Sequence, residues 1–173
     1  MKINLDTEEV TFRKCALNDL EAILELQDKT FDELQNPAIL RKNSKEMFMS
    51  CLKPPHYTLG VFLQNKLIAL AILYFPGSGD ENLSNIIDSK ICDFAANFKL
   101  VIVDSEYRGN GLQNRLSQQL EDYAKQSGIK LLCATISPNN KYSRINFEKN
   151  GYKYFTQIKK YGGLLRDLYY KYI

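Results

Sequence analysis

The chain has no tryptophan, one histidine (His56) and four cysteines. Cys15, Cys51, Cys92 and Cys133 stand 36 to 41 residues apart, and no CxxC pair occurs. A zinc site needs its ligands in close pairs, and a disulfide scaffold is usually smaller and denser in cysteine. No metal centre is therefore expected, and the cysteines read as free, buried thiols in a reducing compartment. A single histidine without a local signature also argues against a Cys–His hydrolase. Long apolar runs are missing too. The longest, Leu67–Phe75, falls far short of the ~20 residues that cross a bilayer and suits a buried strand. Residues 1–20 carry seven charged side chains and no apolar stretch, so no secretory leader and a cytoplasmic location are expected. Repeats and low-complexity tracts are absent as well.

What is present is an ordinary globular composition: 173 residues, 45% apolar and 25% charged, enough for one domain spanning 1–173. The net charge of +3 conceals an asymmetry. Residues 1–98 carry 10 basic and 14 acidic side chains, a net of −4, and residues 99–173 carry 13 and 6, a net of +7. A basic half suits an anionic ligand. Its cations are scattered singly rather than clustered, which disfavours nucleic acid or a membrane and favours a nucleotide-like cofactor.

Hydrophobic periodicity gives the elements. Val10–Cys15 reads as a strand. A helix begins at Asn18, with Glu21 completing an Asn-led capping box, and ends at Asn36-Pro37. A second helix runs from Ile39 to Leu52, before Pro54-Pro55. Tyr57–Leu63 and Leu67–Phe75 form a hairpin across Gln64-Asn65-Lys66. Residues Asp80–Asn97 read as a polar connection with weak structure. Strand Phe98–Val103 follows, then the clearest helix, Gly111–Ser127, with Gly128 at its C-terminal end. Lys130–Ile136 is a strand, Asn140–Asn150 a short helix, and Tyr152–Lys160 and Leu164–Tyr172 a closing hairpin around Gly162-Gly163. The order β-α-α-β-β-β-α-β-α-β-β implies an α/β (α+β) mixed sheet with helices on both faces.

The segment Val101-Ile102-Val103-Asp104-Ser105-Glu106-Tyr107-Arg108-Gly109-Asn110-Gly111-Leu112 carries the chemistry. It passes from a buried strand through a tight loop into a helix start. Two glycines let the loop expose its N–H groups at a helix N-terminus, where the dipole favours an anion, and Arg108 adds a fixed positive charge. Together they suit a pyrophosphate. A P-loop would need Lys-Ser/Thr after its last glycine, where Leu112-Gln113 stands, and a GxGxxG fingerprint would need glycine at Asn114.

Arg108-Gly109-Asn110-Gly111 resembles the Arg/Gln-x-x-Gly-x-Gly/Ala loop of the GCN5-related N-acetyltransferases, the GNAT superfamily. The later segment Asn140-Lys141-Tyr142-Ser143-Arg144-Ile145-Asn146-Phe147-Glu148-Lys149-Asn150-Gly151-Tyr152 is similar to that family's Asn-x-x-Ala-x-x-x-Tyr-x-x-x-Gly-Phe, with all five spacings kept. Ser143, Phe147 and Tyr152 replace the usual types with related ones, and two departures matter: Gln113 replaces the final Gly/Ala, and Phe147 replaces the Tyr often used as general acid. The resemblance implies a GNAT-like, mostly antiparallel sheet of six to seven strands. It implies acetyl-CoA as co-substrate, held by Val101, Ile102, Val103, Arg108, Gly109, Asn110, Gly111, Leu112, Gln113, Asn140, Ser143 and Phe147. It implies acetyl transfer to a primary amine of a small molecule or peptide by direct attack, with a backbone N–H near Val101 to Val103 stabilising the thioester oxygen. The alternative is a non-catalytic module holding CoA. Candidate catalytic groups are Tyr142, as a substitute acid, and Asp93, as a base. Asp28, Asp32, Glu33, Asp80, Glu81, Asp88 and Asp93 would favour a cationic acceptor if they converged on the cleft. Monomer and homodimer both fit the Tyr-rich end (Tyr161, Tyr169, Tyr170, Tyr172).

Overall fold

The computed structural model describes Leu5 and residues 10–173. Seven strands form one sheet in the order β1-β2-β3-β4-β5-β7-β6. The strands are β1 (Val10–Lys14), β2 (Tyr57–Leu63), β3 (Lys66–Tyr74), β4 (Ala95–Val103), β5 (Leu131–Ile136), β6 (Lys153–Lys160) and β7 (Leu164–Tyr172). The helices are α1 (Leu20–Asp32), α2 (Lys45–Cys51), α3 (Ser84–Ile87), α4 (Leu112–Gln126) and α5 (Lys141–Lys149). Every strand pair is antiparallel except β4–β5. The mostly antiparallel, two-faced sheet expected from the sequence is therefore the one observed.

Each face has its own core. On one, Leu116, Leu120 and Ala124 of α4 pack without exposure against Val61, Ile68, Ala96 and Leu132, with Phe147 of α5 beside them. On the other, Ile23 and Leu26 of α1 and Phe48 and Cys51 of α2 cover Leu70, Ile72, Leu100 and Ile102. Fully burying each such leucine or isoleucine contributes roughly 1.5–3 kcal/mol, so the four-residue spacing on α4 is enough to fix which face it presents.

Four boundaries differ from the sequence reading. A short 3-10 turn, Leu17–Asp19, precedes α1, and the reciprocal bond there comes from Asp19, whose carboxylate accepts from the Ala16 N–H at 2.8 Å; Asn18 and Glu21 form no capping box. Helix α2 is only seven residues long and starts at Ser44, whose hydroxyl accepts from the Met47 N–H. Ile39 ends a 3-10 turn, Pro37–Ile39, and residues 40–44, expected as helix, run as a loop that buried Gln27 pins: its amide nitrogen donates to the Asn43 carbonyl at 3.0 Å and its oxygen accepts from the Asn43 N–H at 2.8 Å. The polar connection contains α3 and a 3-10 segment, and β4 begins at Ala95, three residues earlier than its apolar run suggests. Parallel pairing with β5 recruits Ala95 to Asn97, an override that local pattern does not reveal. The β2–β3 loop is shorter than expected, with Gln64 and Asn65 both at positive φ as a two-residue hairpin turn requires.

Candidate active site

The parallel pairing of β4 and β5 is brief. Ala95–Phe98 lies beside Leu131–Ala134, and beyond that point the two strands part, while β4 stays paired with β3 as far as Val103. Lys99 forms a bulge in β4, because Leu73 pairs with Phe98 and Ile72 with Leu100. The Asp104 N–H donates to the Ile68 carbonyl at 2.9 Å. By the two-residue alternation of an antiparallel ladder, Ile102 and Leu100 then turn their backbone groups to β3. Val101 and Val103 turn theirs into the gap.

That gap opens as a cleft of about 80 Å³. Phe98, Lys99, Leu100 and Val101 form one wall, Ala134 to Ser137 the other, and Asn140, Ser143 and Phe147 of α5 close one side. Phe98, Ala134, Ile136 and Phe147 belong to the α4 core and Leu100 to the α1–α2 core, so the cleft is lined from both faces of the sheet. Phe147 is 4% exposed and stands edge-on to Phe98 and Tyr152, at 5.7 and 4.8 Å between ring centres. It is a packed aromatic wall. The Asn140 carboxamide oxygen caps α5 by accepting from the Ser143 N–H at 3.2 Å.

The glycine loop sits at the end of the same strand. Gly109 and Gly111 have φ of 92° and 68°, and a Cβ built on either meets no neighbouring atom within 4 Å, so both face open space. Gly111 is the N-cap of α4 and offers no side chain to its first N–H groups. Those donors remain for a ligand at the positive end of a 15-residue helix. Arg108 Nε donates to the Val103 carbonyl at 3.1 Å, which ties the loop to the strand. The Asn110 side chain accepts from the Leu5 N–H and donates to the Tyr107 carbonyl, both within 3.0 Å, so it braces the loop from within. Gln113, at the departing motif position, accepts from Asn146 of α5 at 3.0 Å. The substitution thus links the two helices that border the cleft.

The remaining expected residues are distributed unequally. Ile102 and Leu112 are core, 2% exposed; Ile102 also turns its backbone to β3, whereas Leu112 keeps a free position in the first turn of α4. Tyr142 is 82% exposed, and Asp93 stands exposed on the 3-10 segment before β4. Neither lines the cleft. Nor do the seven acidic residues converge on it: Asp28 pairs with Lys42, Glu33 accepts from Ser105, Glu81 lies 3.5 Å from Lys99, and Asp88 caps Lys90. The charged residues in the lining are Arg41, Lys99 and Arg166, all cations. Together with Asn43, Thr135 and Tyr161 they were missed, because they come from four separate segments. One signal was readable: Arg166-Asp167 places adjacent opposite charges inside an otherwise apolar strand, where alternation sends them to opposite faces.

Residues 20–152, over half of the chain, match the acetyltransferase (GNAT) family. No curated protein matches the chain in sequence. Among solved structures, an N-acetyltransferase from Staphylococcus aureus Mu50 superposes with a TM-score of 0.73 at 18% identity, over 95% of this chain and 98% of that one. YncA from Salmonella typhimurium, solved with its cofactor acetyl-CoA, gives 0.71 at 17% identity, over 95% and 94%. The PaiA N-acetyltransferase from Thermoplasma acidophilum, in complex with coenzyme A, gives 0.72 at 17% identity, over 95% and 99%. At these identities the likeness concerns the fold. No helix among the described residues is long and apolar enough to cross a membrane.

Proposed function

The chain belongs to the acetyltransferase (GNAT) family, and from that premise we propose that it moves an acetyl group from acetyl-CoA to a primary amine by direct attack. One observation carries the reading: the Val101 N–H, unpaired in the β4–β5 gap, stands on the same strand that feeds the open Gly109–Gly111 loop. The loop N–H groups and the α4 N-terminus suit the pyrophosphate of acetyl-CoA. The open Cβ positions at both glycines fit close approach by such a group. Phe98, Ser143 and Phe147 form the wall for its thiol end. Acetyl-CoA supplies an acetyl thioester, whose carbonyl carbon takes the amine nitrogen and whose sulfur leaves with the amine's proton.

The chain's own contribution is positional. Val101 donates a backbone N–H toward a carbonyl oxygen in the cleft, where charge grows during attack. Holding two reactants in line replaces an encounter in solution, and this alone can supply several orders of magnitude in rate. The lining offers no carboxylate and no histidine, so the amine enters as its neutral form.

Titration calorimetry with acetyl-CoA, followed by thiol release against an amine panel, tests the reading. Micromolar binding and acceptor-dependent release of CoA are expected. No binding at millimolar acetyl-CoA overturns it, and tight binding without release for any amine points to the non-catalytic CoA holder instead.

A further inference from the structure

We infer that the acceptor amine also carries a carboxylate, held at the end of the cleft by Arg166 and Arg41, and that the substrates are free amino acids. Arg166 is 4% exposed. Its Nη1 donates only to the Leu165 carbonyl at 2.9 Å, and its buried Nη2 has no partner among the described residues. Among the described residues no carboxylate pairs with it: the neighbouring Asp167 points to the other face, where it accepts from Gln157 and lies 3.8 Å from Arg144. A buried guanidinium without a counter-ion is costly, and a bound anion would offset that cost.

The surroundings fit that anion. The guanidinium carbons of Arg41 and Arg166 stand 4.3 and 5.7 Å from the same Tyr161 ring centre. The Tyr161 hydroxyl lies 3.3 Å from Thr135 Oγ1, which holds the ring at the mouth of the β6–β7 turn. Arg41 is presented by the loop that Gln27 pins through Asn43. Like Arg166, it has no acidic partner among the described residues. Two guanidinium forks suit a planar carboxylate, which each can grip through paired N–H groups. Lys99 adds a third positive charge to the lining, although its ammonium is turned toward Glu81 and the Tyr74 ring. The arrangement reverses the expectation of a cationic acceptor, because like charges in a confined cleft repel a polyamine. Burial also pulls the Arg166 pKa below its ordinary value, a strain that a bound anion relieves.

This inference rests on the acetyl-transfer reading, and the experiment separates the two. Absence of acetyl-CoA binding overturns the transfer reading itself. With binding in hand, thiol release is measured for the common L-amino acids, their carboxamides, and spermidine. At least one free amino acid should be acetylated with a kcat/KM about 100-fold or more above its carboxamide and above spermidine, because an unmatched buried charge is heavily penalised. Arg166→Gln and Arg41→Gln should each raise the KM for that amino acid about tenfold or more, with acetyl-CoA affinity within about twofold of the parent. Arg166 is buried, so Arg166→Lys and the more accessible Arg41→Gln, with Tm checked, keep the test independent of misfolding. Turnover of no free amino acid, a preference for carboxamides or spermidine, or a loss confined to acetyl-CoA affinity in the arginine variants would overturn the inference.

Discussion

Lys29 Nζ on α1 lies 2.8 and 3.0 Å from the two carboxylate oxygens of Asp104, the residue that follows β4 and begins the turn into the glycine loop. The Asp104 side chain is 1% exposed, with Lys66 at 3.7 Å as a second cation. It also caps the following turn by accepting from the Glu106 N–H at 3.1 Å. One buried carboxylate therefore fixes both the α1 packing and the start of the glycine loop.

Burial alone would raise the Asp104 pKa, but the Lys29 and Glu106 hydrogen bonds and the two lysine charges override it and hold the carboxyl below its usual range. A depressed carboxyl contributes stability that is present above its unfolded pKa of about 3.9 and fades as pH falls through the lower folded value. Asp104→Asn should cost about 2 kcal/mol at pH 7, since it removes the charge that two lysines share. It should also weaken acetyl-CoA binding several-fold. Urea unfolding at pH 7 and pH 3 checks this: the gap between parent and variant should narrow in acid.

Gly111 combines a φ of 68° with open space above its Cα at the N-cap of α4. Gly111→Glu adds a strained side chain and a negative charge where a phosphate is to bind, so acetyl-CoA affinity should fall about 100-fold or more. Gly111→Ala keeps the charge and should lose less. Wild-type affinity in Gly111→Glu, measured by calorimetry, would remove the loop from the binding site.

Because the lining contains no carboxylate and no histidine, no protein base sets a plateau in the pH profile. With a saturating co-substrate, kcat/KM for the acceptor should climb about tenfold per pH unit up to the acceptor's own amine pKa, then level. A levelling two or more units below that pKa would reveal a base. Tyr142→Phe should leave the rate unchanged, given its 82% exposure outside the cleft.

Cys15, Cys51 and Cys133 are 1% exposed or less, and burial pushes their thiols up to about 12, 11 and 12. The thiolate is the reactive form, so these three should resist a disulfide reagent at pH 8. Cys92, on the 3-10 segment, is partly exposed. Titration of the folded protein should find one fast thiol, and unfolding should release three more. Protection of Cys92, or rapid reaction of Cys133, would contradict the packing.

Sequence pattern reached much of this fold because its signals are local. The i, i+4 spacing of Leu112, Leu116 and Leu120 specifies one buried helix face, and the glycines at 109 and 111 specify a loop that only positive φ permits. The helix expected from Ile39 to Leu52 failed at its start because the Gln27–Asn43 amide exchange, across 16 residues, outweighs local propensity. Ala95 and Ala96 join β4 through β5 alone, and Asn97 through β5 and β3 together.

The sequence by itself determined the strand order along the chain, the four longer helices and the loop that suits a pyrophosphate, since each depends on residues within a few positions of one another. Only the tertiary structure decided which charges face the far end of the cleft. Arg41, Thr135, Tyr161 and Arg166 come from a loop, two strands' ends and a turn, and they meet because β4 and β5 part after Phe98. The overall split of charge suggested acidic groups around the acceptor, yet those carboxylates are used in surface ion pairs and caps. Electrostatics in a cleft follows the few charges that face it, and which ones face it is fixed by the packing of distant segments.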